Sequence, residues 1–309
     1  MTKATRTAGG DQAPLARRLG FALFRAGAAA IQALPKPFAY VVSDIFAAVL
    51  EYPLGYRKKV IRDNLRRALP DKSDEDILRL ARRFYHHLAD VAVEIIKSQG
   101  LRAGGFRRYV RIRNLDLVAG WLRKYKTVFI LAGHYGNWEF LNVLPPLLNV
   151  KSLAVYLPPK NPHFDRYLRR GRSRFGAEAV RPDGFFRRLR EWQKQGLPTL
   201  SLILADQSPA PDKVDLWIRF LNQETGCSAG WEKIARKARA AVVYLDIRKC
   251  ARGLYEYDFK VMSEKAEAEA PYRLVRDYQA RLEKSIARDP AYWLWSHRRW
   301  KLRPPSQSL

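Results

Sequence analysis

Residues 127–140 read Thr-Val-Phe-Ile-Leu-Ala-Gly-His-Tyr-Gly-Asn-Trp-Glu-Phe, and they predict the central strand and turn of the fold. The run from Val128 to Ala132 is short, apolar and rich in β-branched and aromatic side chains, as in a buried strand. Two glycines then bracket His134 and allow a sharp turn, and Asn137 is a favourable N-cap for a helix that begins one residue later. The stretch therefore predicts a strand, a turn that carries His134, and a helix.

His134 and Glu139 have the chemistry of a general base and of the group that orients it. On one continuous helix five residues advance about 500°, so the two side chains would point to different faces. In a strand–turn–helix, the Glu139 carboxylate can instead fold back onto one imidazole nitrogen while the other nitrogen faces a substrate. The alternative, which composition alone favours, is a loop histidine followed by a glutamate that merely complements the helix dipole.

Four segments of the chain resemble one protein family in the same order. Residues 133–139, Gly-His-Tyr-Gly-Asn-Trp-Glu, resemble the His-x4-Glu motif of the lipid A biosynthesis lauroyl/myristoyl acyltransferases, which add the secondary, late acyl chains to lipid A. Residues 155–172, 204–207 and 293–304 resemble further segments of that family. The resemblance extends from about residue 38 to residue 304. It implies an acyltransferase in which the histidine of the motif is the general base.

The resemblance also implies a reaction. An acyl chain would move from an acyl-carrier-protein thioester to a hydroxyl of a phosphorylated glycolipid, on a 3-hydroxyacyl chain of the lipid A disaccharide. His134 would take the hydroxyl proton, Glu139 would hold the imidazole, and the alkoxide would attack the thioester without an acyl-enzyme. The backbone N–H groups of Gly136 and Asn137, near a helix N-terminus, would steady the oxyanion. No cofactor is expected.

The same matched segments imply the substrate-binding residues. Residues 170–172 match the family's Arg-Gly-Arg, and guanidinium forks suit a phosphate or phosphopantetheine group. Leu157 departs from the family's Tyr-Arg-Pro, so one cation is missing and Lys160 is its expected substitute. Without the resemblance, the arginines are read as a solvent-exposed face of a helix. Asp206, which follows the apolar run at 199–205, is then read as a helix or turn cap. The implied residues are Tyr156, Lys160, Asn161, Arg170, Arg172, Arg181 and Asp206.

The charge of the chain indicates polyanionic partners. Lys and Arg number 57 against 30 Asp and Glu, which gives a net charge of +27 and a pI near 10.3. An acidic carrier protein, a phosphorylated glycolipid and an anionic membrane surface all satisfy this charge. A basic nucleic-acid-binding protein would satisfy it too, but the chain lacks an RNA-recognition signature, a zinc finger and a leucine zipper, so no nucleic acid is expected.

A nearer alternative is the related glycerol-phosphate acyltransferases. Glutamate rather than aspartate at the fifth position after the histidine favours lipid A acylation over that alternative. The 2 cysteines are too few for a disulfide framework and indicate a reducing compartment. The 5 histidines have no metal-ligand spacing, so we expect no structural metal.

The N-terminal part has two interrupted apolar segments, residues 19–34 and 38–50, and each is too short for a clean span. With their basic flanks they predict helices that lie in or dip into one leaflet, with an ordinary buried helical pair as the alternative. The resemblance implies the cytoplasmic face of the bacterial inner membrane. We expect residues 1–56 to form a disordered start (1–13) and membrane-associating helices, 57–304 an acyltransferase domain, and 305–309 a tail.

From about residue 107, strand and helix patterns alternate, which predicts an α/β fold with a mixed, mostly parallel sheet flanked by helices. His134, Tyr156 and Asp206 each follow or finish a predicted strand, so one cleft at the carboxyl ends of the strands can hold all three. Helices are predicted near residues 57–69, 74–98, 271–288 and 290–300. Strands are predicted near residues 107–112, 127–132, 151–157, 177–180, 199–205, 214–220, 241–248 and 255–262.

One rival site is a serine-hydrolase arrangement. Residues 226–230 read Gly-Cys-Ser-Ala-Gly, and Ser228, Asp246 and His297 follow the hydrolase order. The approach to Ser228, Leu-Asn-Gln-Glu-Thr at 221–225, is polar, whereas a nucleophile elbow follows a buried strand. The sequence therefore disfavours this rival.

Overall fold

A computed structural model of the chain describes residues 15–158 and 161–305. Its α-helices are α1 (Leu15–Ala33), α2 (Lys36–Glu51), α3 (Lys58–Ala68), α4 (Asp74–Ser98), α5 (Leu115–Tyr125), α6 (Leu144–Leu148), α7 (Pro162–Ser173), α8 (Pro182–Lys194), α9 (Gly230–Lys237) and α10 (Arg273–Arg288). Its strands are β1 (Val110–Arg113), β2 (Thr127–Ala132), β3 (Lys151–Val155), β4 (Ala177–Val180), β5 (Thr199–Leu204), β6 (Leu216–Phe220), β7 (Gln223–Cys227), β8 (Ala241–Ala251) and β9 (Leu254–Ser263).

Seven strands form one sheet in the order β1-β9-β8-β2-β5-β3-β4. Only the β8–β9 pair is antiparallel, so the prediction of a mixed, mostly parallel sheet is confirmed. β2 lies at the centre, and all of its residues are buried, which explains why its sequence is continuously apolar and does not alternate. Helices cover the sheet, with α5 against β2 and β9, α8 against β3, β4 and β5, and α10 against β8 and β9.

The carboxyl ends of β2, β3 and β5 meet at one edge of the sheet, because these strands are parallel neighbours. Ala132 at the end of β2 is paired in register with Leu204 at the end of β5. The loops after these strands carry His134, Tyr156 and Asp206. The topology therefore brings to one edge three residues that are far apart in the sequence.

Helix α4 passes behind this edge. Ser73 caps its N-terminus, since Ser73 Oγ accepts a hydrogen bond of 3.1 Å from the backbone N–H of Asp76. The two N-terminal helices predicted from the sequence are also present as α1 and α2, and α2 packs along α4. No helix in the described ranges combines the length and apolarity needed to cross a membrane. The predicted disorder of residues 1–13 lies outside the described residues.

Two sequence-based assignments differ from the structure. No strand is predicted for the polar stretch at 223–227, but it forms β7 in a hairpin with β6. The predicted helix at 290–300 is wrong, because only Pro290–Tyr292 forms a short 3-10 turn, after which the chain makes one β-bridge at Trp293 and continues in turns. This segment pairs with the turn after β2, where Gly136 N–H donates to the carbonyl of Tyr292 at 2.9 Å and Leu294 N–H to that of His134 at 3.1 Å.

Candidate active site

The turn after β2 presents His134 at the carboxyl edge of the sheet. Gly136 has a φ of +61°, a left-handed value that a side chain rarely adopts, and a Cβ there would lie 2.6 Å from Cγ2 of Ile247. Asn137 then caps a 3-10 helix, Trp138–Val143, by accepting a hydrogen bond of 3.2 Å from the Glu139 N–H. The predicted strand–turn–helix is therefore present, with a 3-10 helix as its third element.

Asp206, not Glu139, holds the imidazole of His134. The Asp206 Oδ1 lies 2.7 Å from His134 Nδ1, and Oδ2 accepts a hydrogen bond of 2.9 Å from the His134 backbone N–H. Asp206 is 2 % exposed. Burial alone would raise the pKa of this carboxyl, but the His134 imidazole, the His134 N–H and the Trp293 indole hold it at about 2. The carboxylate is therefore ionised and fixes both the backbone and the ring of His134.

This pairing determines which imidazole nitrogen is unprotonated. Because an ionised carboxylate only accepts hydrogen bonds, Nδ1 of His134 carries the proton and Nε2 is unprotonated, with a lone pair that can accept a hydrogen bond. The side-chain Nε2 of Gln207 lies 3.2 Å from His134 Nε2 and is the donor to it. The His134 side chain is 16 % exposed, so this nitrogen is open to the cleft. A base plus a carboxylate that orients it is thus in place.

The C-terminal segment after α10 adds hydrogen bonds around His134 and Asp206, which together form a dyad. Trp293, itself buried, donates from its indole Nε1 to Asp206 Oδ2 at 2.8 Å. The Nε2 of His297 accepts a hydrogen bond of 3.0 Å from the backbone N–H of Ser208, two residues beyond Asp206. Burial lowers the pKa of His297 to about 4, so this ring is neutral at pH 7. Both contacts fix the loop that follows β5.

Glu139 forms a second pair, with Arg172. The Arg172 Nη2 donates to Glu139 Oε1 at 2.7 Å, and both side chains are largely buried. The guanidinium of Arg172 also stacks over the ring of Tyr156, 4.6 Å from its centroid. The expectation that Glu139 holds His134 is therefore corrected: the carboxylate points toward α7, and Asp206 already occupies the imidazole Nδ1.

Trp138 links the two pairs. Its ring lies 5.0 Å from the ring of His134, measured between centroids, and it also lines a small cavity of roughly 60 Å³ beside Glu139 and Arg172. The rest of that cavity is formed mostly by apolar side chains from β3, β5 and the 3-10 helix. These lining residues are Leu141, Asn142, Ala154, Val155, Leu202 and Leu204.

Two side chains of α4, His87 and Glu94, hold the turn that carries His134 by hydrogen bonds. They are seven residues apart and therefore share one helix face. His87 Nε2 lies 3.2 Å from the Gly136 carbonyl, and because a carbonyl only accepts, this nitrogen carries the proton. Glu94 Oε2 accepts from Asn137 Nδ2 at 2.7 Å, and its Oε1 accepts from Tyr40 OH of α2 at 2.8 Å. Burial lowers the pKa of His87 and raises the pKa of Glu94.

The proposed oxyanion groups are placed differently from the expectation. The Gly136 N–H is already bonded to the Tyr292 carbonyl, so its assignment to the oxyanion is wrong. Asn137 is fully buried, its side chain is held by Glu94 and its carbonyl accepts from Tyr257 OH. The oxyanion role of the Asn137 N–H stays a prediction.

The remaining predicted residues lie outside the dyad. Asn161 caps α7 by accepting from the His163 N–H at 2.9 Å. Arg170 is exposed on the opposite side of α7 from Arg172, and Arg181 is exposed and pairs with Asp183 at 3.6 Å. Lys160 lies outside the described residues. Among the implied binding residues that the structure describes, Asp206 contacts His134, Arg172 contacts Glu139, and Tyr156 stacks on Arg172.

The serine-hydrolase rival has no triad. Ser228 Oγ donates to Asp215 at 3.3 Å, Asp246 pairs with Arg288 at 2.8 Å, and His297 is bonded to the Ser208 N–H. Each member thus has a different partner.

The sequence implied that Asp206 binds substrate, whereas the structure places it on His134, and four further groups were missed. The groups missed are Trp293 as a donor to Asp206, Gln207 on His134, and the α4 residues His87 and Glu94. For α4 a signal existed, because a histidine and a glutamate seven residues apart interrupt the apolar face of a long helix.

The chain matches none of the curated proteins with which it was compared. It does match the family model of the bacterial lipid A biosynthesis acyltransferases over residues 12–302, which is nearly its whole length. This span contains the sheet, the turn that carries His134, the carboxylates Glu139 and Asp206, and the C-terminal segment as far as residue 302. The chain therefore belongs to the bacterial lipid A biosynthesis acyltransferase family.

Proposed function

We propose that this acyltransferase moves a fatty acyl chain from an acyl-carrier-protein thioester to a hydroxyl of a lipid A precursor, in a late acylation step. Family membership implies an acyltransferase with a lipid A-type glycolipid as acceptor. The observation that supports general-base chemistry is the dyad of His134 and Asp206, in which the unprotonated Nε2 of His134 contacts the exposed Gln207 side chain. The carrier-protein donor and the late step are proposed from the resemblance of the matched segments.

In this mechanism the acceptor hydroxyl takes the place of Gln207 at His134 Nε2. The imidazole removes the hydroxyl proton as the oxygen forms a bond to the thioester carbonyl carbon. The carbon–sulfur bond then breaks, and the leaving thiolate takes the proton back from the imidazolium. Asp206 stays ionised throughout and stabilises the positive ring. Protons and electrons balance without a cofactor.

Arg172 is the proposed electrophilic group. A guanidinium that is mostly buried and held by Glu139 is a fixed positive charge beside the cleft, and such charges act strongly where water is excluded. It would stabilise the oxyanion of the tetrahedral intermediate. Glu139 would then act by holding Arg172 in position, which differs from the role expected from the sequence.

The test uses purified protein, an acyl-carrier-protein donor and a lipid A precursor, with the product identified by mass spectrometry. His134→Ala should lower turnover by about 10²- to 10⁴-fold. Glu139→Gln should lower it as Arg172→Gln does, and the double variant should be little worse than either, since residues that act as one unit are not additive. Ser228→Ala is the control and should keep full activity.

Loss of activity in Ser228→Ala together with full activity in His134→Ala would contradict this mechanism. Transfer of the acyl chain to glycerol phosphate, with none to the lipid A precursor, would contradict the proposed acceptor.

We also propose that α2 attaches the protein to the cytoplasmic face of the bacterial inner membrane. The outer face of α2, defined as Phe38, Val41, Ile45 and Val49, is exposed, with fractions of 61, 56, 61 and 38 %. Its inner face buries Ala39, Ala47 and Leu50 and also makes polar contacts, since Ser43 donates to Asp90 at 2.8 Å and Tyr40 to Glu94. A helix with polar contacts inward and large apolar side chains outward is suited to an apolar medium outside.

Flotation with anionic phospholipid vesicles tests this attachment. Ile45→Asp should reduce the floating fraction, because it places a charge in the apolar layer. Val261→Asp is a matched control, since Val261 is an apolar residue 45 % exposed on β9. Equal flotation of the two variants and the unaltered protein would exclude α2 as the attachment site.

A further inference from the structure

A cationic cleft lies between α1 and α7, on the side of α7 away from His134. This α1–α7 cleft has a volume of roughly 430 Å³. Four arginines line it, together with glutamine, histidine and aromatic side chains, and none of the described lining residues carries a carboxylate. The arginines are Arg25 from α1, Arg166 and Arg170 from α7, and Arg174 just after α7.

The arginines of the cleft lack the partners that other arginines of α7 have. Arg169 lies 3.9 Å from Asp165, and Arg172 is paired with Glu139. By contrast, Arg25, Arg166 and Arg170 have no carboxylate within ion-pair distance in the described ranges, and Arg174 donates only to the Leu101 carbonyl at 3.2 Å. Four unneutralised guanidinium groups around one cleft repel each other unless an anion lies between them.

The walls of the cleft can also donate hydrogen bonds. The buried Nε2 of His163 has no hydrogen-bond partner, and the ring is stacked on Phe21 with 5.0 Å between centroids. Gln32 and Gln99 add amide groups from α1 and from the residue after α4. Guanidinium forks with nearby neutral donors match the several oxygens of a phosphate better than the single charge of a fatty acid.

The cleft and the active site are held in a fixed relation by α7. Arg170 and Arg172 are two residues apart, so they point about 200° apart around the helix, and the helix is about 10 Å wide. Gly171 lies between them against the Gln99 side chain, with no room for a Cβ unless that side chain moves. The close approach of α7 to the end of α4 thus directs Arg172 to Glu139 and Arg170 to the cleft.

We propose that the α1–α7 cleft binds a phosphate group of one of the two substrates while the reacting groups meet at His134. The phosphate is either the monoester on the glycolipid acceptor or the diester of the phosphopantetheine arm of the donor. Both sources offer the same chemistry, a phosphate with several oxygens that guanidinium groups can bind. This inference rests on the proposed function, whose two substrates it uses.

The first experiment does not depend on turnover. Inorganic pyrophosphate is added to the full-length protein and thermal unfolding is recorded. The melting temperature should rise for the unaltered protein and for Arg169→Gln, a control on the same helix. The rise should be lost in Arg25→Gln and Arg170→Gln, which alter opposite walls of the cleft. Equal shifts in all four proteins, or no shift in any of them, would overturn the proposal.

The second experiment identifies the source of the phosphate from KM values. Loss of a hydrogen-bonded guanidinium should raise the KM of the phosphate-bearing substrate by about 10- to 100-fold, with a smaller change in kcat. If that substrate is the acceptor, the variants and the unaltered protein should not differ with a dephosphorylated acceptor. If the phosphate-bearing substrate is the donor, the variants should have a higher KM than the unaltered protein for acyl-phosphopantetheine but the same KM for acyl-pantetheine.

Unchanged KM values for every substrate in Arg25→Gln and Arg170→Gln would refute the cleft as a phosphate site while leaving the acyltransferase proposal intact. An unaltered protein that transfers no acyl chain would refute the proposed function instead, and the pyrophosphate result would then decide the cleft by itself.

Discussion

The replacement of Asp206 by asparagine tests the dyad most directly. The carboxylate accepts three hydrogen bonds: Oδ1 from His134 Nδ1 at 2.7 Å, and Oδ2 from the His134 N–H at 2.9 Å and the Trp293 indole at 2.8 Å. In Asp206→Asn the carbonyl oxygen must stay on the Oδ2 side, where two N–H groups point. The new NH₂ group then faces His134 Nδ1, which must become the acceptor. The imidazole proton moves to Nε2, and the ring loses its basic lone pair in the cleft.

The expected effect is the loss of most general-base catalysis, a fall in kcat of about 10²- to 10⁴-fold. The shape of the side chain is unchanged, so the KM of both substrates should change little. Trp293→Phe is the matched control, because it removes one donor to Asp206 but leaves both contacts to His134. It should lower kcat by about tenfold or less.

The assay is acyl transfer from an acyl-carrier-protein donor to a lipid A precursor, with melting curves to show that each variant is folded. Nitrogen NMR of the imidazole gives the tautomer directly and should place the proton on Nδ1 in the unaltered protein. An Asp206→Asn variant with kcat within about threefold of the unaltered protein would refute the reasoning. So would an Nε2–H tautomer in the unaltered protein.

Three further predictions concern the framework of the site. Glu94→Gln should lower the melting temperature and reduce kcat by about tenfold, because a glutamine amide cannot accept all the hydrogen bonds that the Glu94 carboxylate now accepts. An unchanged melting temperature and kcat would show that the contact between Glu94 and the turn is not needed. Gly136→Ala should destabilise the fold by about 1–3 kcal/mol, because a φ of +61° and a Cβ 2.6 Å from Ile247 both oppose it. Gly196 has a φ of +67° and open space where a Cβ would lie, so the loss of unfolding free energy in Gly196→Ala gives the cost of the positive φ alone. Both values are measured by chemical denaturation. The free energy of unfolding should fall as pH decreases from 6.5 to about 4, because burial lowers the pKa of His297 over that range and only the unfolded chain takes up the proton there. His297→Gln should flatten that part of the pH profile.

The sheet was predictable because its strands are strongly apolar and separated by clear turns. The bounds predicted for β2 and β4 agree with the structure, and so does the extent of α4. The hairpin strand β7 was missed because its residues are polar, and a strand of this kind is stabilised by pairing with β6 and not by its own pattern.

The C-terminal segment was misassigned for a related reason. Its closely spaced aromatic and basic residues suit a helix, but the backbone around Trp293 pairs with the turn that carries His134. Trp293 and Trp295 are buried there, and Trp293 donates to Asp206. A long-range contact of this kind leaves no periodic signal in the sequence.

By itself the sequence determined the strand–turn–helix around His134, the alternating α/β order and the family, because these depend on local patterns and on motifs. Only the tertiary structure decided which carboxylate serves the histidine. Glu139 is close in sequence, but its helix directs it to Arg172 on α7, whereas Asp206 follows β5, the parallel neighbour of β2. The carboxyl ends of adjacent parallel strands bring Asp206 onto the imidazole, and strand order is set by packing across the whole sheet.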